Sequence, residues 1–202
     1  MLRNLRRMHR KEVIRLAGIG CLVCMHWLFF YGAIKYSDVT VALSCLATTT
    51  FFTSFIEPLV SRKRVKLYEI SLGILIIPGV YMIFYFSSFH LTGIILGLLA
   101  ALLAAAFSSL NKLMVEKHEP RSMTFVELGS GFIFLSIIMP FYLKLFPDAS
   151  MSLSGGNGYD LLYLLLLGLA CTTLPFVLAL RALRHLSAFA SVLTVNLEPI
   201  YG

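Results

Sequence analysis

Long apolar stretches alternate with short polar connections along the whole chain. The apolar positions within each stretch are continuous, and most stretches approach the roughly 20 residues that a helix needs to cross a hydrocarbon core of about 30 Å. Because a lipid-exposed backbone must satisfy its hydrogen bonds within each segment, the pattern predicts an all-α, polytopic transmembrane helix bundle. About seven segments are expected, at 14–34, 38–60, 67–86, 91–115, 123–146, 159–181 and 187–202.

The composition supports a membrane protein and excludes an ordinary soluble domain. Hydrophobic residues make up 58% of the 202 positions and charged residues 13%, and the mean hydropathy is +0.85, whereas soluble domains are only about half apolar. The net charge of +7 does not require nucleic acid as a partner, because basic residues in a membrane chain concentrate in the loops on one side.

The basic residues predict the orientation. With a cytoplasmic N-terminus, every Lys and Arg except Lys35 and Lys144 falls on the cytoplasmic side, as the positive-inside rule requires. The expected location is therefore the cell (plasma or inner) membrane. The basic arm Met1–Arg15 is interpreted as a cytoplasmic flank that sets topology, with binding of anionic lipid as the alternative.

Two turns resemble each other at a large offset in the chain. Residues 33–43 and 182–192 both run from a small, apolar and basic helix end through a short turn into a new apolar helix. Asp38 and Ser187 stand where an N-cap would accept that helix's free amide hydrogens. Five helices separate the copies, so they face opposite sides of the membrane, as in the inverted repeats of secondary transporters.

Several stretches together resemble the EamA-type transporters of the drug/metabolite transporter superfamily. The resemblance is carried by Phe29–Leu43, Gly73–Val80, Leu91–Leu102 and Leu178–Ser191, which runs into Leu197–Pro199. It implies a bundle of ten helices in two inverted five-helix repeats, of which these seven segments match helices three to nine. One departure is Thr48–Thr50, which stands where the second copy has Leu197–Pro199.

The resemblance also implies a division of the chain. Residues 1–86 would hold the cytoplasmic arm and three helices that remain of the first repeat. Residues 91–202 would hold four segments of an incomplete second repeat, the last one cut short. We therefore expect a partial sequence that lacks the first two helices and the last.

The end of the chain holds the strongest candidates for a substrate cavity. A carboxylate at the bilayer centre costs at least about 2.5–3.5 kcal/mol on insertion scales, so Glu198 is expected to line an aqueous cavity and to hold a substrate amine or relay a proton. Asn196 and Pro199 adjoin it, and a proline kink frees backbone carbonyls. The alternative is a carboxylate near a helix end beside a simple kink.

Further candidates lie in earlier segments. Trp27 and Tyr31 are one turn apart and could form an aromatic wall for a substrate or a packing surface. Thr49 and Asn111 are polar positions that either line the cavity or bond locally. Glu127 lies about one turn into its segment, where structural and functional roles are both open.

Glu57, next to Pro58, is expected near the membrane–water interface and paired with the basic cluster Arg62–Arg64.

The four cysteines all fall in apolar runs, and we predict neither a disulfide nor a metal site from them. They are Cys21, Cys24, Cys45 and Cys171. The small residues of 100–106 are expected to permit close helix packing.

The predicted function is secondary transport of a small organic metabolite by alternating access. An enzyme is not expected, because the five histidines are scattered over different segments and no nucleophile set or phosphate loop accompanies them. The alternatives are a non-catalytic assembly or interaction subunit and a non-functional transporter fragment. No cofactor is expected. Expected partners are membrane lipid and a solute, with further copies of the chain as an open question and no nucleic acid.

Overall fold

A computed structural model describes residues 8–86, 90–145 and 159–196. These residues form helices joined by short turns, and no strand occurs among them. The predicted all-α class is confirmed. The helices are α1 (Arg10–Tyr36), α2 (Val39–Ala47), α3 (Thr49–Ser61), α4 (Leu67–Phe86), α5 (Leu91–Val115), α6 (Pro120–Leu145), α7 (Asp160–Leu166), a π-helical segment (Leu167–Thr173), α8 (Leu174–Ala182) and α9 (Ala188–Val195).

Five helical stretches are long and apolar enough to cross a membrane. They are Arg10–Tyr36, Val39–Ser61, Leu91–Val115, Pro120–Leu145 and Asp160–Ala182, and a shorter apolar stretch covers Leu67–Met82. Each agrees with a predicted segment to within a few residues. The seventh segment is described only as far as Asn196.

Both predicted N-caps are present. The Asp38 carboxylate accepts a hydrogen bond from Val41 N at 2.9 Å at the start of α2, and the Ser187 hydroxyl accepts one from Ala190 N at 3.1 Å at the start of α9. Each cap satisfies an amide hydrogen that has no partner within its own helix.

Helix α5 lies at the centre of the bundle and packs against α1, α2, α3 and α9. Its small residues make this possible, since Ala100, Ala101 and Ala105 are fully buried. A Cβ on Gly97 would lie 2.6 Å from Cys45 Cβ, so that helix pair approaches too closely for a larger residue. The predicted packing role of the small-residue run is confirmed.

A larger apolar core fills one end of the bundle, between α1, the end of α5, the start of α6 and α8. It is built from buried residues that include Leu16, Val23, Val115, Met123 and Leu180. The stretch Asp160–Leu166 is different, because each of its leucines leaves half or more of its surface uncovered. Such an all-round apolar surface suits contact with lipid.

Candidate functional site

A cavity of about 610 Å³ lies between α1, α5, α8 and α9, at the junction of α2 and α3. This volume is within the range of about 300–1,000 Å³ that is usual for small-molecule sites. The lining contains both aromatic and polar side chains. The aromatic lining consists of Trp27, Phe30, Tyr31, Phe107 and Phe176, and the polar lining includes His26, Thr49, Ser108, Asn111, Thr172, Ser191 and Asn196.

Five of the predicted site residues meet at this cavity: Trp27, Tyr31, Thr49, Asn111 and Asn196. They come from four separate segments of the chain, which the packing of α1 and α9 around α5 brings together. Glu127 does not line the cavity, but it bonds to Asn111. Glu198 and Pro199 lie outside the described residues.

His26 is a cavity residue that was not among the predicted site residues. Its ring is buried, and Nδ1 lies 2.8 Å from the carbonyl oxygen of Ala100. A carbonyl can only accept, so Nδ1 carries the hydrogen. The ring packs between Phe30 and Phe107. In the sequence, the signal for a role of His26 is its position within an apolar run, directly before Trp27.

The helix between Asp38 and Arg62 is interrupted at Thr48, where a single unbroken segment was predicted. Thr48 Oγ1 donates to Cys45 O and Thr49 Oγ1 donates to Leu46 O, both at 2.6 Å. Thr48 N also bonds to Cys45 O, three residues back. Hydroxyls bonded to the preceding turn often bend helices, and Thr49, the first residue after the interruption, lines the cavity.

A second irregularity, in the segment after α7, lines the same cavity. In the segment Leu167–Thr173 the hydrogen bonds have π-helical spacing. The hydroxyls of Thr172 and Thr173 donate to Leu167 O and Gly168 O, each five residues back, and so match that wider spacing. π-Helical turns inside α-helices occur frequently at functional sites.

Asn196, at the C-terminal end of α9, bonds to the C-terminal end of α2. Its Nδ2 donates to Ala47 O at 2.7 Å and also contacts the Thr50 hydroxyl. Ala47 and Asn196 are 149 positions apart, which is also the offset between the capped helices α2 and α9 and between their Asp38 and Ser187 caps. In two copies related by a twofold axis, contacts between counterpart residues lie close to that axis.

Glu57 also links the halves, and its predicted pairing is wrong. It is buried, and its Oε2 accepts a hydrogen bond from Phe189 N at 2.7 Å. No ion pair of Glu57 with Arg62–Arg64 occurs in the described part of the chain. The reason is geometric, because α3 ends at Ser61 and Arg62–Arg64 lie beyond its C-terminus, whereas the Glu57 side chain reaches α9. The positive end of the α9 dipole, at its N-terminus, favours an acidic side chain there.

A smaller polar cluster adjoins the cavity behind Asn111. The Asn111 Nδ2 donates to Glu127 Oε2 at 3.1 Å, and both residues are only 1% exposed. Ser130, one turn along α6, donates to Ala17 O on α1 and to Glu127 O. Helices α1, α5 and α6 thus enclose one carboxyl group next to the cavity.

A second cavity of about 520 Å³ lies between α2, α4 and α9, and Asn196 lines both. Its walls are mostly apolar, with Thr40 and Ser44 as polar exceptions.

Within the described ranges, no group of three or more His, Cys, Asp or Glu residues is placed to hold a metal ion. The four cysteines have free thiols.

The chain matches the EamA-like transporter family over residues 2–85 and 91–202. The protein belongs to this family. No curated protein and no solved structure matched the chain. Membership of the EamA-like transporter family, together with the five long apolar helices, makes this a multi-pass membrane protein of the transporter class.

Proposed function

We propose that this EamA-like protein moves a small organic solute across the cytoplasmic membrane by alternating access, with the 610 Å³ cavity as the solute site. The observation that carries the proposal is the bond from Asn196 to Ala47, its counterpart in the repeat. A cavity beside a pseudo-twofold axis has two related packings available, one open to each side. The N-terminus is cytoplasmic in this proposal, as the basic loops require.

The irregular helices support a moving cavity wall. The break at Thr48 and the π-helical segment Leu167–Thr173 lie on different walls of the cavity. Backbone that departs from α-helix is tolerated at membrane depth where it lines a cavity. The α-helical hydrogen bonds are already interrupted at both places, so bending there breaks fewer of them than bending elsewhere.

The lining indicates the chemical class of the solute. No Asp, Glu, Lys or Arg is found among the described residues that line the cavity. Trp27 and Phe107 offer faces for an aromatic or apolar body, and Asn111 and Asn196 offer both donors and acceptors. We expect a solute with an apolar part and several hydrogen-bonding groups.

Uptake into sealed proteoliposomes tests the proposal. The vesicles are incubated with a mixture of amino acids, nucleosides and sugars, and their contents are measured by mass spectrometry. At least one solute should enter faster than into protein-free vesicles. Uptake at the protein-free rate for every solute would contradict transport and favour an assembly role.

The matched variants Trp27→Ala and Phe132→Ala then locate the site. Trp27 lines the cavity, whereas Phe132 is 73% exposed on the outer face of α6. Losing a large apolar contact of about 1.5–3 kcal/mol should raise the KM of Trp27→Ala about tenfold or more. Phe132→Ala should keep the original KM, and equal effects of the two would place the solute elsewhere.

A further inference from the structure

Two buried oxygen atoms beside the cavity lack a partner. The Glu127 Oε2 and the Asn111 Nδ2 are bonded to each other, but Glu127 Oε1 and Asn111 Oδ1 have no hydrogen-bond partner. The two orphaned oxygens therefore belong to the same two side chains that already share one bond. A buried polar atom without a partner in a native protein requires an explanation.

Protonation of the carboxyl group supplies the missing partner. An ionised carboxylate only accepts, and the oxygen of an asparagine amide also only accepts, so an ionised Glu127 leaves both oxygens empty. A proton on Oε1 turns that atom into a donor for Asn111 Oδ1. One proton then gives both oxygen atoms a hydrogen-bond partner and removes the cost of an unpaired buried charge.

The cations around the pair are directed elsewhere. Lys112, next to Asn111 on α5, donates to Leu183 O at 2.8 Å and lies 3.5 Å from Glu116. On the neighbouring helices, Arg15 of α1, Arg121 of α6 and Arg181 of α8 are exposed.

The other titratable groups of the neighbouring helices bond or pack elsewhere. Glu12 of α1 lies 3.4 Å from His118, and His26 of α1 bonds to Ala100 O. Cys24 of α1 packs where a Cβ on Gly131 would lie. Among the described residues, the Glu127 carboxyl group accepts its hydrogen bond from the neutral Asn111 amide.

We propose that Glu127 is a proton-binding site, in which its protonated carboxyl group and the Asn111 amide form a ring of two hydrogen bonds. Loss of the proton opens the ring and frees Asn111 Oδ1. Because Asn111 also lines the cavity, the solute and the proton share one side chain. The link to solute movement rests on the proposed transport function, whereas the proton site itself does not.

Infrared difference spectroscopy on the purified protein in lipid at neutral pH tests the site. The wild type should show the carbonyl band of a protonated carboxylic acid, shifted in D₂O, and Glu127→Gln should lack it. The Gln amide can donate to Asn111 Oδ1 and accept from Nδ2, so this variant should fold. A wild type without the band, or a band that Glu127→Gln retains, overturns the proposal.

Glu69→Gln is the matched control. Glu69 is also buried at 3% exposure, but its Oε1 lies 3.0 Å from the cationic Lys66 Nζ, so its replacement should leave the band unchanged. If Glu127→Gln does not fold, Asn111→Ala provides the same test. Removing the amide should move the band to the higher frequency of an acid without a hydrogen bond, and an unmoved band contradicts the ring.

Solute flux separates this inference from the proposed function. In proteoliposomes, a pH gradient should change the flux through the wild type and through Glu69→Gln, whereas the flux through Glu127→Gln should not respond. If the wild type shows the infrared band but no solute flux, the proton site is supported and transport is rejected. If the wild type shows solute flux but no infrared band, transport is supported and the proton site is rejected.

Discussion

Gly20 sets the distance between α1 and α6, and its replacement by Ala should destabilise the protein. A Cβ at this position would lie 2.2 Å from the Glu127 carbonyl oxygen, 2.3 Å from Ser130 Oγ and 2.8 Å from the Glu127 carbonyl carbon. These distances are far inside the 3.4 Å at which ordinary van der Waals contact begins. The Ser130 hydroxyl can rotate away, but the backbone of Glu127 moves only if the two helices separate.

The magnitude follows from comparison with a glycine two positions earlier. Added atoms in a close-packed interface typically cost about 1–3 kcal/mol, and replacing Gly by Ala inside a helix gains up to about 1 kcal/mol. Gly18 has nothing within 4 Å of its Cβ position, so Gly18→Ala should show only the gain in helix stability. The difference between Gly20→Ala and Gly18→Ala removes this shared gain and should be about 1–3 kcal/mol.

The assay is reversible unfolding in mixed micelles as the fraction of denaturing detergent is raised. Trp27, the single tryptophan of the chain, lies on α1 and reports unfolding by its fluorescence. Gly20→Ala should unfold at a lower fraction of denaturing detergent than the wild type, and Gly18→Ala at the same or a higher one. Equal midpoints for the two variants would refute the close approach of α1 and α6.

Two further predictions concern the contacts that join the halves. Glu57→Ala removes a charged acceptor from the N-terminus of α9 and should lower the free energy of unfolding by about 1.5–3 kcal/mol, measured by the same unfolding assay; an unchanged midpoint would contradict the cap. Asn196→Ala should lower it by only about 0.6–1.7 kcal/mol, the usual value of a hydrogen bond between membrane helices, while solute flux falls at least tenfold. Ser136→Ala, which loses an exposed bond to Phe132 O in its own helix, is the control for Asn196→Ala and should change neither quantity.

The fold was largely predictable because the signals that specify it are local. Continuous apolar runs gave the helices, and polar residues at the starts of α2 and α9 gave their caps. The break at Thr48 was not predicted, although its cause is also local. Thr48 and Thr49 carry hydroxyls that bond to the preceding turn, and hydropathy alone does not indicate such bonds.

The site was predictable only in part, because its contacts join distant positions. Trp27 and Asn111 were identified by residue type, but only the packing of α1 and α5 shows that they line the same cavity. The backbone of Glu127 lies directly against Gly20 of α1, a contact that no pattern near residue 127 indicates. The partner of Glu57 is likewise 132 positions away.

The central claim, a cavity that opens to each side of the membrane in turn, can be tested without knowing the solute. Ser108→Cys is introduced at the cavity wall in a variant without native cysteines, and sealed vesicles are treated with a membrane-impermeant maleimide from either side. A second variant, Arg64→Cys in the loop between α3 and α4, controls for leakage and should react from one side alone. Alternating access predicts that Ser108→Cys reacts from both sides, and labelling from a single side under all conditions would contradict it.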